Sequence, residues 1–155
     1  MKTIQKENLK IIGISVRTTN QNQQAAKDIP ALWEQFVTTN VIDKIPNKLD
    51  GKVFSVYTDY ESDYMGSYTT ILGCEVSSLE NVPEGMTTVE IPADFYTNFT
   101  INGQLNENIV YNKWLEIWQS DIKRSYHSDF EVYEKSTLKE QKGTVNIYIA
   151  TEKVN

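Results

Sequence analysis

Runs of apolar residues alternate with polar stretches along the chain and predict strands and helices in a repeating order. The first run, at residues 9–16 (LKIIGISV), is rich in β-branched residues, which predicts a buried strand. After a polar stretch, apolar residues recur at helical spacing, which predicts a helix from an Asp28 N-cap to about residue 40. Pro30 suits the first turn of this helix because its missing N–H costs nothing there.

The same kind of pattern predicts six more strands and a second helix in the rest of the chain. The strands are expected at residues 52–60, 67–76, 86–91, 95–101, 129–134 and 144–151. The helix is expected over about 107–119, with Asn106 as its N-cap and an apolar stripe that includes Trp114. Both halves of the chain therefore read strand, helix, strand, strand.

Short sequence matches support an internal duplication of this unit. The helical segment IPALWEQFV aligns with VYNKWLEIW and places Trp33 on Trp114, and FSVY aligns with FEVY and places Tyr57 on Tyr133. We therefore predict an α+β fold in which two pseudo-twofold-related strand–helix–strand–strand modules form one antiparallel-rich sheet with two helices on one face. The modules span about 1–80 and 81–155 of a single domain.

Alternation along two predicted strands places four polar or aromatic side chains together. In the segment DFEVYE, Glu131 and Tyr133 share one face, and in FSVYT, Ser55 and Tyr57 do the same. We expect the apolar neighbours of these residues to pack beneath the helices, which leaves this set on the face away from the helices. Alternation alone leaves open whether Glu131 lines a pocket or lies on a solvated sheet face.

Charge and residue usage exclude several classes of function. The chain has 21 acidic and 15 basic residues, a net charge of −6, and no basic cluster, so we expect no direct nucleic-acid binding and no attraction to an anionic membrane. The N-terminal segment lacks the apolar core of a signal peptide, and no run approaches about 20 apolar residues, so a cytoplasmic protein is expected.

Metal and nucleophile chemistry also find little support in the sequence. Cys74 and His127 are the only cysteine and histidine, which is too few for a structural zinc site of the usual kind, and we expect no metal and no cofactor. The serines beside His127 are not evidence of a catalytic triad, and no nucleophile-elbow motif or phosphate-binding glycine loop is present.

Three segments carry a resemblance to a known family. LWEQF at residues 32–36, ILGCEV at 71–76 and DFEVYE at 129–134 occur in the order and spacing of the GyrI-like family, also called the AraC-type effector-binding domain. The chain resembles this family over nearly its whole length. The resemblance implies a ligand pocket on the pseudo-twofold axis, with the family's pocket glutamate at Glu131, and a stand-alone member without a DNA-binding domain.

Several aromatic residues are candidates for the cavity wall around that glutamate. Tyr133 and Tyr57 are expected beside Glu131, and Tyr68 and Tyr96 are further candidates for the cavity wall. Trp33 and Trp114 are expected mainly as core residues because aromatics at helical spacing usually are, although Trp114 could expose an edge to the pocket.

The resemblance implies a binding protein for small hydrophobic ligands, many of them lipophilic cations, with a link to transcription regulation or drug sequestration. A carboxylate among aromatic rings loses hydration, and a cationic ligand would supply the missing charge. Two alternatives remain open at this point. One is a hydrolase in which Glu131 acts as general base on strained electrophiles such as cyclopropane compounds, and the other is a gyrase-inhibitor-like protein-binding role.

Overall fold

The computed structural model describes residues 3–152, which form eight strands and four helices. The strands are β1 (Thr3–Lys6), β2 (Leu9–Thr19), β3 (Val53–Thr58), β4 (Ser67–Glu75), β5 (Thr87–Ile91), β6 (Asp94–Gln104), β7 (Ser128–Tyr133) and β8 (Lys142–Ala150). The helices are α1 (Ala25–Thr38), α2 (Val41–Lys44), α3 (Ile109–Gln119) and α4 (Lys135–Glu140).

All eight strands belong to one antiparallel sheet with the order β1-β6-β8-β7-β3-β4-β2-β5. The order is symmetric about the central β3–β7 pair, where Ser55 lies directly opposite Glu131. Each edge strand is exchanged between the halves, since β1 pairs with β6 and β5 pairs with β2. The predicted fold of two pseudo-twofold modules is therefore confirmed, with Ser55 and Glu131 close to the axis.

The curled sheet has a buried cluster on each face. Leu32 and Phe36 of α1 and Trp114 of α3 pack into the first cluster together with Tyr133 of β7. Phe130 of β7 lies in the second cluster, on the opposite face. The set that contains Glu131 and Tyr133 thus faces the helices, and our expectation that it lies away from them is wrong.

The physical reason for this reversal is that both faces of the central strands are buried. Alternation correctly separates Phe130 from Glu131, but the helices cover the tyrosine-bearing face, and the curl of the sheet closes the Phe130 face on itself. Aromatic rings supply enough apolar area to pack against helices even when a hydroxyl or carboxylate lies among them.

The starts of both long helices differ from the prediction. α1 begins at Ala25 after a Gln24 N-cap, so Asp28 lies in the first turn, where its carboxylate accepts a hydrogen bond from Gln24, and Pro30 lies inside the helix. The segment before Asp28 has no apolar periodicity but consists of good helix formers, which extend the helix toward the N-terminus. α3 begins at Ile109, and its N-cap is Asn108 in the left-handed conformation rather than the predicted Asn106.

Three short elements were absent from the prediction. β1, α2 and α4 contain four, four and six residues, too few for a periodic pattern to appear. α4 occupies the region expected to be a polar loop, and its Thr137 side chain is buried against β8.

Tyr96 provides a direct test of the second buried cluster. Its side chain is 1% exposed and packs against the Phe130 ring at 5.3 Å, but its hydroxyl has no hydrogen-bond partner among residues 3–152. Because a buried unpaired hydroxyl is costly, Tyr96→Phe is expected to raise the free energy of unfolding by about 1 kcal/mol. Urea denaturation measures this, with the exposed Tyr111→Phe as a neutral control. A clear loss of stability in Tyr96→Phe would contradict the expectation.

Candidate ligand-binding site

A cavity of about 930 Å³ lies between the helices and the sheet. Its wall is rich in aromatic residues and is drawn from both modules. The aromatic lining residues are Trp33, Phe36, Tyr57, Tyr60, Tyr64, Tyr68, Tyr111, Trp114, Trp118 and Tyr133. A volume of this size lies within the range of cavities that hold drug-sized molecules.

Glu131 is the buried carboxylate of this cavity, with 1% of its surface exposed. The Tyr133 hydroxyl donates to Oε1 at 2.6 Å. The Tyr57 hydroxyl donates to Oε2 at 2.9 Å, and the Trp114 indole N–H donates to the same oxygen at 2.6 Å. These donors come from β7, β3 and α3, so the fold itself fixes the carboxylate in position.

Burial raises the pKa of Glu131 above its ordinary value, and the three donors limit the rise because they stabilise the charged form. Burial together with the nearby Glu131 charge raises the pKa values of Tyr57 and Tyr133 well above the ordinary value. Both tyrosines therefore remain neutral hydrogen-bond donors at physiological pH.

Two aromatic pairs flank the carboxylate in a mirrored arrangement. Trp33 of α1 meets Tyr133 of β7 edge to face at 5.1 Å, and Trp114 of α3 meets Tyr57 of β3 edge to face at 5.5 Å. Each pair joins the helix of one module to the central strand of the other. The duplication therefore produces two similar aromatic walls. The charge is not duplicated, because the position equivalent to Glu131 across the axis is occupied by the neutral Ser55.

Arg124 is a second buried charged group on the cavity wall. Its guanidinium donates to Asp129 at 2.8 Å, and these side chains are 5% and 0% exposed. Burial opposes the charge of Arg124, but Asp129 and Tyr60 raise its pKa above the ordinary value. Since this pair neutralises itself, Glu131 is the buried cavity charge for which the described part of the chain offers no ionic partner.

The structure brings together most of the predicted site residues. Glu131, Tyr133, Tyr57 and Trp114 form one hydrogen-bonded group in the cavity. Trp114 is both a core residue and a wall residue. It packs in the helix-side cluster, with 8% of its surface exposed, and its indole N–H contacts the carboxylate.

The other two predicted wall residues lie in different places. Tyr68 is on the cavity wall, 6.1 Å from the Tyr57 ring, and its hydroxyl donates to the Asn20 side chain. Tyr96 is not on the wall. It lies in the second cluster, on the opposite face of the sheet.

Several wall residues were not predicted from the sequence. Trp118 follows Trp114 at helical spacing, and this signal could have identified it. Tyr64 and Arg124 lie in irregular segments, where no periodicity indicates which way a side chain points. Tyr60 was expected at the end of a strand over residues 52–60, but β3 ends at Thr58, so strand alternation does not apply to it.

Within residues 3–152, no group of three or more histidine, cysteine, aspartate or glutamate side chains is arranged to hold a metal ion. None of the helices in this range is both long enough and apolar enough to cross a membrane.

Comparison with solved structures places the fold among proteins of related architecture. An integron cassette protein from the mobile metagenome of Vibrio cholerae is 30% identical, with a TM-score of 0.76 over 97% of this chain and 95% of that chain. SAV2435, solved bound to tetraphenylphosphonium, has a TM-score of 0.74 at 14% identity, over 97% of this chain and 93% of that chain. The second likeness concerns the fold alone.

Sequence comparison identifies the family. YobU of Bacillus subtilis, which is named as a candidate transcriptional regulator, is 31% identical over 145 residues, 91% of each chain. The model of the Cass2 family, which is described as integron-associated effector binding protein, matches residues 3–151. The GyrI-like resemblance of the sequence is thereby confirmed, and the chain belongs to the Cass2 family of effector-binding proteins.

Proposed function

We propose that this effector-binding protein takes up lipophilic cations in the aromatic cavity and uses Glu131 as their counter-charge. The observation that carries the proposal is the fully buried carboxylate with three neutral donors and no cationic partner among the described residues. A buried charge is costly when it lacks an opposite charge. A bound cation supplies that charge. Its own loss of solvation is small, because aromatic faces replace part of its hydration.

The comparisons are consistent with this proposal. The neighbour SAV2435 was solved with tetraphenylphosphonium, a lipophilic cation, and YobU carries the name of a regulator. We infer that ligand binding by this chain serves sensing or sequestration linked to transcription. The net charge of −6 and the lack of a basic cluster favour a role without direct DNA contact.

Hydrogen bonding in the cavity favours binding over hydrolysis. A hydroxyl that donates to the substrate beside Glu131 would favour a hydrolase with Glu131 as general base, and Tyr133 is the nearest candidate by sequence. In the structure the Tyr133 hydroxyl donates to Glu131 itself at 2.6 Å, and the Tyr57 hydroxyl does the same at 2.9 Å. Each hydroxyl hydrogen is therefore engaged by the carboxylate, and neither is free to donate to a substrate.

A pair of probes with the same shape and opposite charge tests the proposal. Tetraphenylphosphonium and tetraphenylborate differ in the sign of charge, so the cavity is expected to bind the cation and exclude the anion. At 100 times its dissociation constant, the cation should add about 2.7 kcal/mol of apparent stability in a thermal unfolding assay. Equal stabilisation by both ions, or by neither, would contradict the proposal.

A further inference from the structure

We propose that the cavity selects cations without N–H groups, such as quaternary ammonium and phosphonium ions, over protonated amines of the same charge. This inference rests on the proposed function and adds a rule about which cations are bound. Its basis is the number of hydrogen-bond acceptor positions that the buried carboxylate still has free.

An ionised carboxylate offers about four lone-pair positions, two on each oxygen. On Oε2 of Glu131 both are occupied, by the Tyr57 hydroxyl at 2.9 Å and the Trp114 N–H at 2.6 Å. On Oε1 the Tyr133 hydroxyl occupies one at 2.6 Å. Only one acceptor position therefore remains for a ligand at the group that carries the charge.

Three further acceptors at or near the cavity already accept hydrogen bonds. The Tyr57 oxygen accepts a hydrogen bond from Ser55 at 3.1 Å, and Asn20 Oδ1 accepts one from Tyr68 at 2.6 Å. The Asp129 carboxylate accepts from Tyr60, from Arg124 and from the backbone N–H of Ala150. A primary ammonium group brings three N–H donors, so at least some of them would remain unpaired in the buried site, which is costly.

A quaternary cation does not meet this cost. Its charge is spread over C–H groups that need no acceptor, so the attraction to Glu131 acts without directional bonds. The mirrored pairs Trp33–Tyr133 and Trp114–Tyr57 present ring surfaces on both sides of the carboxylate. Aromatic surroundings of this kind suit quaternary ammonium groups through cation–π attraction.

The test compares (4-phenylbenzyl)trimethylammonium with 4-phenylbenzylammonium at pH 7, where both are fully charged. Calorimetric titration of the wild type is expected to show about tenfold tighter binding of the quaternary ion. Because the two ions also differ in methyl area, the decisive quantity is the change of this ratio in variants. Tyr57→Phe frees an acceptor position on Oε2, and Tyr133→Phe frees one on Oε1, so each should reduce the ratio roughly threefold or more.

Tyr96→Phe is the matched control, because it removes a tyrosine hydroxyl on the opposite face of the sheet and should leave the ratio unchanged. A ratio near one in the wild type, or a ratio that stays the same in both Tyr57→Phe and Tyr133→Phe, would overturn the inference while the proposed function stands. Failure of both cations to bind, together with failure of tetraphenylphosphonium, would overturn the proposed function itself.

Discussion

Replacing Asp129 by Asn is expected to lower the free energy of unfolding by about 3–5 kcal/mol. The substitution keeps the shape of the side chain and removes its charge. Arg124, whose side chain is 5% exposed, would then be buried without a counter-charge. Breaking one side of a buried ion pair is costly for this reason, even where the intact pair contributes little net stability.

Contacts around Asp129 leave no other group to compensate. Its two oxygens accept from the Arg124 guanidinium at 2.8 Å, from the Ala150 backbone N–H at 2.8 Å and from the Tyr60 hydroxyl. Nε and Nη1 of Arg124 are buried and have no hydrogen-bond partner within residues 3–152. The Tyr126 ring, 4.3 Å from the guanidinium carbon, offers cation–π attraction, which is weaker than an ionic partner.

Urea denaturation at pH 7 measures the effect, with Asp94→Asn as the matched control. Asp94 also accepts a hydrogen bond, from His127 at 2.9 Å, but these side chains are 22% and 68% exposed. A partly exposed pair of this kind contributes at most about 1 kcal/mol. Similar losses in Asp129→Asn and Asp94→Asn would show that burial does not determine the cost and would contradict the expectation.

Much of the fold was predictable because the strand–helix–strand–strand pattern occurs twice in the sequence. The alignment of Trp33 with Trp114 and of Tyr57 with Tyr133 predicted two equivalent modules, and the sheet order is symmetric about their meeting point. The face that the helices cover was not predictable. Periodicity distinguishes the two faces of a strand only when one is apolar and the other polar, and in β3 and β7 both are buried.

The central part of the site was also predictable, and its surroundings were not. Strand alternation placed Tyr133 beside Glu131, and both lie on the cavity side of β7. Tyr96 was wrongly assigned to the wall because alternation gives no reference for the face of β6. Arg124 was missed because it lies in an irregular segment, where its position depends on its buried partner Asp129.

Replacing Glu131 by Gln is expected to weaken the binding of tetraphenylphosphonium roughly ten- to a hundredfold, or about 1–3 kcal/mol. The amide keeps the shape of the side chain and removes the buried cavity charge that lacks an ionic partner among the described residues. A neutral ligand such as triphenylphosphine oxide should bind the variant as well as the wild type or better, because no desolvated carboxylate has to be accommodated. Equal losses of affinity for both ligands would mean that Glu131 contributes to the shape of the cavity and not through its charge.

The raised pKa of Glu131 gives the same variant a second, independent readout. As pH falls through that pKa, which lies above the ordinary carboxyl value, Glu131 takes up a proton, so cation affinity in the wild type should decrease. Without ligand, the stability of the folded state changes with pH in the opposite direction to the cation affinity. The reason is that the folded state holds this proton more tightly than the unfolded state. The contribution of Glu131 to stability therefore decreases as pH rises from the ordinary carboxyl range through the raised pKa.

Glu131→Gln removes both dependences, so its cation affinity should not change with pH in this window, and at neutral pH the unliganded variant should be slightly more stable than the wild type. Calorimetric titrations with tetraphenylphosphonium and urea denaturation, each over a series of pH values, measure the two effects on the same samples. The Tyr96→Phe variant, whose hydroxyl lies on the other face of the sheet, should retain the wild-type pH profile of binding. A pH dependence of cation affinity that persists unchanged in Glu131→Gln would assign the titrating group to another residue and remove Glu131 as the counter-charge.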